Sequence, residues 1–274
     1  MKKLLALISL LPLGLLGAEI FKENLYKSLG ISLGYYHYSE VGQQNESVMR
    51  DNALRLTFIG NLGYAKQGAK LEGILEVSYA LGVYTGGILD VDNPERNGQS
   101  VSTITGALMG NLELKGGYNL LQPLLQNIRF YLQSDVGYFL NRNEFLVMDR
   151  VQGYLYVPIE LEGEIKISPK LALNFLVGYR YFIFGNHFSA ASKYGFTDDY
   201  RVTQKQGFGA NAFIGFSYLN KNLNKRSVRL VYEHWSVGAA DPMQTKSAVT
   251  GNDVPIYEPK NRTHLVSLQY IFGF

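Results

Sequence analysis

The segment Tyr232-Glu233-His234-Trp235-Ser236 holds residue types that could perform chemistry. On an extended backbone, residues two apart share a face. An imidazole so placed can draw the proton from a serine hydroxyl and make it a nucleophile toward an ester. His234 and Ser236 are therefore candidate catalytic residues for acyl-ester hydrolysis. A blander reading makes His234, Trp235 and Ser236 a belt of aromatic and polar groups where a strand meets a loop. Other candidates are less well arranged. Asp90 and Asp92 pair in one loop, and Asp198 and Asp199 follow His187 in another, but acidic loops are ordinarily solvated or bridged by divalent cations. Glu160, Glu162 and Glu164 share one face and could gather a cation, with neutralisation by Arg129 or Arg180 the simpler expectation. His37, His187 and His264 stand isolated in the chain, and there is no cysteine. No metal and no cofactor is expected. The glycines fall within extended stretches and form no phosphate-binding loop.

The elements that must position these residues are strands. Ten stretches alternate with period two, the signal of a strand whose faces meet different surroundings. They cover about 25–39, 54–65, 71–83, 100–116, 128–141, 155–167, 171–183, 204–219, 226–237 and 262–274. Leu54, Leu56, Phe58, Leu62 and Tyr64 oppose Arg55, Thr57 and Asn61. Leu155, Val157, Ile159 and Leu161 oppose Tyr156, Glu160 and Glu162. The stretches run for roughly 12 to 17 residues, against the 5 or 6 usual in soluble sheets and the 9 to 11 that cross a bilayer when tilted. Their connections alternate in length. Lys66–Ala69, Ser168–Lys170 and Asn220–Lys225 are short and Asn119–Asn127 moderate, whereas Val41–Met49, Gly86–Gly98, Asn141–Asp149, Asn186–Thr203 and Gly238–Lys260 are longer. Tight turns at one end and long loops at the other are expected of a membrane barrel with both termini on the turn side.

Residues 1–18 read as a secretory signal peptide: Lys2 and Lys3, an apolar run from Leu4 to Leu16, then Gly17 and Ala18 before the cut. The domain is expected over 19–274. It holds 20 Tyr, 15 Phe and 29 Gly, a composition suited to alternating strands rather than a two-layer core. The net charge of +3 is small and dispersed, so no nucleic-acid partner is expected. With the apolar face outward, Arg55, Glu72, Glu76, Glu113, Lys115, Arg129, Asp135, Glu160, Glu162, Glu164, Arg180, Arg229 and Glu233 line the lumen beside Tyr36, Tyr131, Tyr154 and Tyr156. A barrel of about eight strands is just filled by side chains, so a lumen of ten is expected to be plugged by these groups.

Val266, Leu268, Tyr270, Phe272 and Phe274 alternate to a terminal phenylalanine. This resembles the C-terminal signature of bacterial outer-membrane β-barrel proteins, which implies recognition by the barrel-assembly machinery through Phe274 and location in the outer membrane. The aromatic-rich style is similar to small barrels of Helicobacter-like and Campylobacter-like bacteria. His234-Trp235-Ser236 and Gly238 resemble the His-x-Ser motif of outer-membrane lipid A deacylases, implying a lipid-facing acyl hydrolase. The chain departs from that pattern at Val237, where the family has an oxyanion-stabilising Asn, and at Ala248, where its Glu would stand; Asp241, Asp253 and Glu258 are the acids nearby. Asp90 and Asp92 are similar to the paired aspartates of omptin proteases, but no Asp-x-His accompanies them. The expectation is an all-β, up-and-down transmembrane barrel of about ten strands. It would be non-enzymatic and in contact with outer-membrane lipids and lipopolysaccharide, with loops serving envelope structure or adhesion. A hydrolase using His234 and Ser236 is the alternative, and a narrow small-solute channel the third.

Overall fold

The computed structural model describes residues 20–21, 24–42, 46–88, 93, 95–122, 124–144 and 149–274. The expected signal peptide and the Asp90, Asp92 pair lie outside the described residues. Ten long strands follow one another: β1 (Asn24–Val41), β2 (Ser47–Lys66), β3 (Ala69–Gly87), β4 (Ser100–Asn119), β5 (Ile128–Glu144), β6 (Asp149–Ser168), β7 (Leu171–Ser189), then β9 (Gly207–Leu219), β10 (Lys225–Val237) and β13 (Lys260–Gly273). Three short strands, β8 (Tyr200–Gln204), β11 (Met243–Lys246) and β12 (Asp253–Ile256), lie in the connections. Each long strand is antiparallel to the next, and β1 pairs with β13 from Ser28↔Gly273 to Val41↔Lys260, closing the barrel. Closure pairs the backbone groups that an open sheet edge would strand in hydrocarbon.

Alternation places the side chains as the sequence implies, and it does so inside out. Leu54 and Phe58 on β2 are 64% and 60% exposed, whereas their neighbours Arg55 and Thr57 are 6% and 5% exposed. The same inversion runs through Leu71, Leu75, Leu81, Leu112, Leu114, Val177, Ile214, Leu230 and Leu268, all exposed. A continuous apolar outer surface of this extent is tolerable only against lipid. The turn side is tight: Gln67 and Gly68 both have positive φ, +50° and +85°, the geometry of a two-residue hairpin.

At the loop side the sheet runs further than alternation of apolar residues signals. β5 and β6 pair out to Glu144↔Asp149, and β6 and β7 to Arg150↔Ser189. Once a strand rises above the lipid, both faces become polar and the period-two signal fades. The two longest connections are folded rather than free. β8 extends the sheet along β7, β11 and β12 form a hairpin, and Phe196 bridges to Ser247. Ala191, Phe196 and Tyr200 pack there with Tyr194, Val202, Met243, Val254 and Ile256, giving the outer end a small core of its own.

The lumen divides in two. Its outer half is filled by Tyr36, Tyr38, Met49, Tyr84 and Met109 on one side, and by Tyr154, Tyr156, Phe182, Trp235 and Val237 on the other. Its inner half holds a cavity of about 410 Å³ that reaches Asn224, Gly273 and Phe274 at the turn side. Ile20 and Phe21 tuck into that end against Ala172 and Leu219, and the Arg129 guanidinium lies 4.7 Å over the Phe21 ring.

Candidate functional sites on the outer rim and in the barrel mouth

His234 and Ser236 lie on the outward face of β10, two residues beyond Tyr232 and the apolar band. Trp235, between them, points the other way. It is buried in the lumen, 5.0 Å from the Tyr156 ring and 5.5 Å from that of Tyr154, which corrects its reading as an interfacial residue. The His234 Nδ1–H donates to the Thr263 carbonyl at 2.9 Å, fixing the ring, and its Nε2 has no hydrogen-bond partner among the described residues. No hydrogen bond among the described residues joins His234 to Ser236. The acids weighed for a triad are committed elsewhere: Asp241 pairs with Lys205 at 2.8 Å, Asp253 is exposed on β12, and Glu258 is buried in the barrel mouth. A backbone carbonyl, not a carboxylate, orients the His234 ring.

Strand register adds what the linear sequence hides. His264 on β13 stands opposite both His37 on β1 and His234 on β10, so three histidines form one outward row. Ring centroids are 4.5 Å apart for His234 and His264, and 6.3 Å for His37 and His264. The His37 Nδ1–H donates to Asn52 Oδ1 at 2.9 Å, and His264 Nδ1 meets the Tyr232 hydroxyl at 2.9 Å. The expectation that His37 and His264 are isolated is therefore corrected: residues distant in sequence become neighbours across the closing seam. Among the described residues, no group of three or more His, Asp or Glu is placed to hold a metal ion.

A second His-x-Ser pair, His187-Phe188-Ser189, goes unnoticed in the sequence, where His187 is weighed only beside Asp198 and Asp199. Its partner comes from the last loop. His187 Nε2 is 2.7 Å from Ser189 Oγ and 3.1 Å from Glu258 Oε2, all deeply buried. Serine and acid converge on the same nitrogen, whereas a proton relay needs them on opposite nitrogens. The arrangement is a latch. Arg150 completes it, reaching Glu40 at 2.5 Å with one nitrogen and Glu258 at 2.5 Å with the other. Gln152 donates to Glu258 at 2.8 Å, and the Glu258 N–H donates to the Tyr200 hydroxyl at 2.7 Å. Burial beside Glu40 pushes the Glu258 carboxyl up to about 8 against the pull of Arg150. In the cap above, Asp198 and Asp199 brace their own loop: Asp199 accepts from Ser192 Oγ at 2.6 Å and Asp198 from Thr197 Oγ1 at 2.7 Å.

The inner half is a ladder of opposite charges. Glu160 is held by Lys115 at 2.7 Å, Glu162 by Lys70 at 2.6 Å, and Glu164 by Lys225. Lysines reaching across the lumen contribute these cations, and Arg129 stands directly opposite Glu164 in register. Arg180 instead spans Glu233 at 3.1 Å and Glu113 at 3.4 Å, and Arg55 lies 3.6 Å from Glu233.

No protein-family profile matches this chain, and no curated protein matches it. Solved structures do. An outer-membrane protease from Escherichia coli superposes with a TM-score of 0.63 at 10% identity, over 94% of this chain and 100% of that one. A toluene transporter from Ralstonia pickettii gives 0.40 at 9% identity over 93% and 90% of the two chains. The attachment invasion locus protein of Yersinia pestis gives 0.33 at 11% identity over 92% and 100%. Scores at the level of the last two carry no further argument. By its closed ring of ten antiparallel strands, its outward apolar band and its likeness to the first of these, the chain has the fold of an outer-membrane β-barrel.

Proposed function

We propose that this barrel is a non-conducting, non-enzymatic protein of the outer membrane whose work is done on its outer surface, in envelope structure or adhesion. One observation carries the reading: the outer half of the lumen is closed by packed aromatic rings and the Arg150–Glu40–Glu258 latch, while the cap above is folded into a small sheet with its own core. A rigid cap on a sealed barrel presents a fixed surface and offers no path for solutes, which disfavours the small-solute channel. Envelope lipids, lipopolysaccharide and the barrel-assembly machinery, the last through Phe274, are its proposed partners. The test joins planar-bilayer recording with adhesion of cells carrying the protein or a cap-deleted form. We expect silent bilayers and adhesion that falls with the cap. Steady conductance, or adhesion indifferent to the cap, would reject the reading.

A second reading is favoured by the fixed tautomer of His234, whose Nε2 shares the lipid-facing side with Ser236. In it, these two residues hydrolyse acyl esters of outer-leaflet lipid. Mass spectrometry of lipid A decides: loss of an acyl chain that vanishes in His234→Ala and Ser236→Ala establishes the enzyme, and unchanged lipid removes it.

A further inference from the structure

Lipid-facing residues of a barrel are normally apolar within the membrane and mixed above it. Across the closing seam this rule is broken by an ordered patch. Two rows run side by side over β2, β1, β13 and β10. The lower row is Asn52, His37, His264 and His234; the upper is Arg50, Ser39, Arg262 and Ser236, each opposite the next in register. Below them the apolar band resumes with Tyr35, Leu54, Val266 and Tyr232, all exposed.

Two features distinguish this patch from scattered polarity. The Nδ1 atoms of the three histidines are each engaged by the protein, through Asn52, Tyr232 and the Thr263 carbonyl. The rings are thereby held with their Nε2 edges unclaimed among the described residues. Arg50 and Arg262 are exposed and neither makes an ion pair among the described residues, although the lumen pairs most of its charges. Both arginines stand opposite Ser39, one on each side, so their backbones are about 10 Å apart at two strand spacings. Guanidinium groups at that separation converge on one tetrahedral anion, for which their fork of donors is suited.

We propose that this seam is a binding site for the phosphate of an outer-leaflet glycolipid, with Arg50 and Arg262 clasping the phosphate, Ser39 and the His264 Nε2–H donating beneath it while Tyr232 donates to the His264 Nδ1, and the acyl chains lying along Val266 and Leu268. The site deepens the reading above, since it needs an outer-membrane barrel in contact with lipopolysaccharide. It does not need the barrel to be silent or adhesive. It also gives a binding role to the surface that the hydrolase reading would use, with no bond broken.

The test uses the full chain folded in detergent and native mass spectrometry, with three probes: bisphosphorylated lipid A, the same lipid after dephosphorylation, and phosphatidylethanolamine. Heat-modifiable gel mobility confirms folding of every variant. Each basic group near an anionic lipid contributes roughly fivefold in affinity. Arg50→Gln with Arg262→Gln should therefore lower retention of bisphosphorylated lipid A by about 25-fold, leaving the other two probes unchanged. Arg226→Gln, at the opposite rim beside Phe272, should change nothing. Should the double variant fail to fold, Arg262→Gln alone gives the same reading at about fivefold. Equal retention of phosphorylated and dephosphorylated lipid A by the unaltered protein, or undiminished retention by the arginine variants, overturns the site. Conductance or absent adhesion would bear on the function proposed above and leave this measurement standing.

Discussion

The outer and inner halves of one lumen solve the same problem differently. Both must enclose polar side chains inside a tube of about ten strands, too narrow for a porin channel. The inner half does so with lysines that cross the lumen to glutamates around a cavity of about 410 Å³. The outer half is packed with rings instead: Tyr154, Tyr156, Phe182 and Trp235 cluster, and charges gather on Arg150. In a roomy space a severed ion pair can be resolvated. In a packed one it cannot, so the same substitution should carry different costs in the two halves.

Arg150→Met sharpens that contrast most. It leaves Glu40 and Glu258 facing one another without a cation, and breaking a buried pair costs about 3–5 kcal/mol. The matching change at the inner end, Lys225→Met, removes a side chain that is 38% exposed and should cost under about 1 kcal/mol. Guanidinium unfolding of detergent-folded protein measures both, and equal losses would erase the distinction. Next in size, Trp235→Ala removes a central ring of the plug at about 3 kcal/mol. It should also admit ions, so that conductance steps appear in planar bilayers. Phe21→Ala, at the inner end, should leave the bilayer silent.

The third expectation concerns pH. Glu258 in the folded protein titrates near 8, above its ordinary 4.5, because burial beside Glu40 disfavours the charged form. A folded-state value raised above the unfolded one contributes stability that is complete below the unfolded value and is lost as pH rises through the folded one. Hydrogen exchange of residues 238–260 should accordingly quicken between pH about 4.5 and about 8; protection that is flat or rises over that range would show the latch has no extra proton. The smallest effect is expected in the cap. Ser192 donates to Asp199 and holds its carboxyl below the usual range, so Asp199→Ala should speed exchange only near Ala191–Tyr194. Loss of protection reaching β13 would mean the cap and barrel are not separable.

The barrel was legible in the sequence because its rule is local. Whether Leu54 faces lipid and Arg55 the lumen depends on period two alone, and the alternating strands were found with their turn-side ends close and their loop-side ends, at β2, β6 and β7, falling six or seven residues short. The latch and the seam were not legible, for a common reason. His187 meets Glu258, and His37 meets His264, only after the register of several strands and the closure of the ring are fixed. Neighbouring lumen partners were misjudged likewise: Lys70 reaches Glu162 across the lumen, a relation that no spacing along the chain announces. The strands β8, β11 and β12 escaped notice because they lie above the membrane, where nothing forces apolar and polar residues to alternate.

The pairing of β1 with β13 joins the first and last long strands of the ring. Any molecule recognised by groups from both therefore has no site on an open or half-assembled sheet, and it binds the finished ring alone. Mass action then favours closure in proportion to how far that molecule exceeds its dissociation constant. The seam would accordingly be the one vertical line on the cylinder whose integrity depends on the composition of the surrounding leaflet, like a clasp fastened from outside.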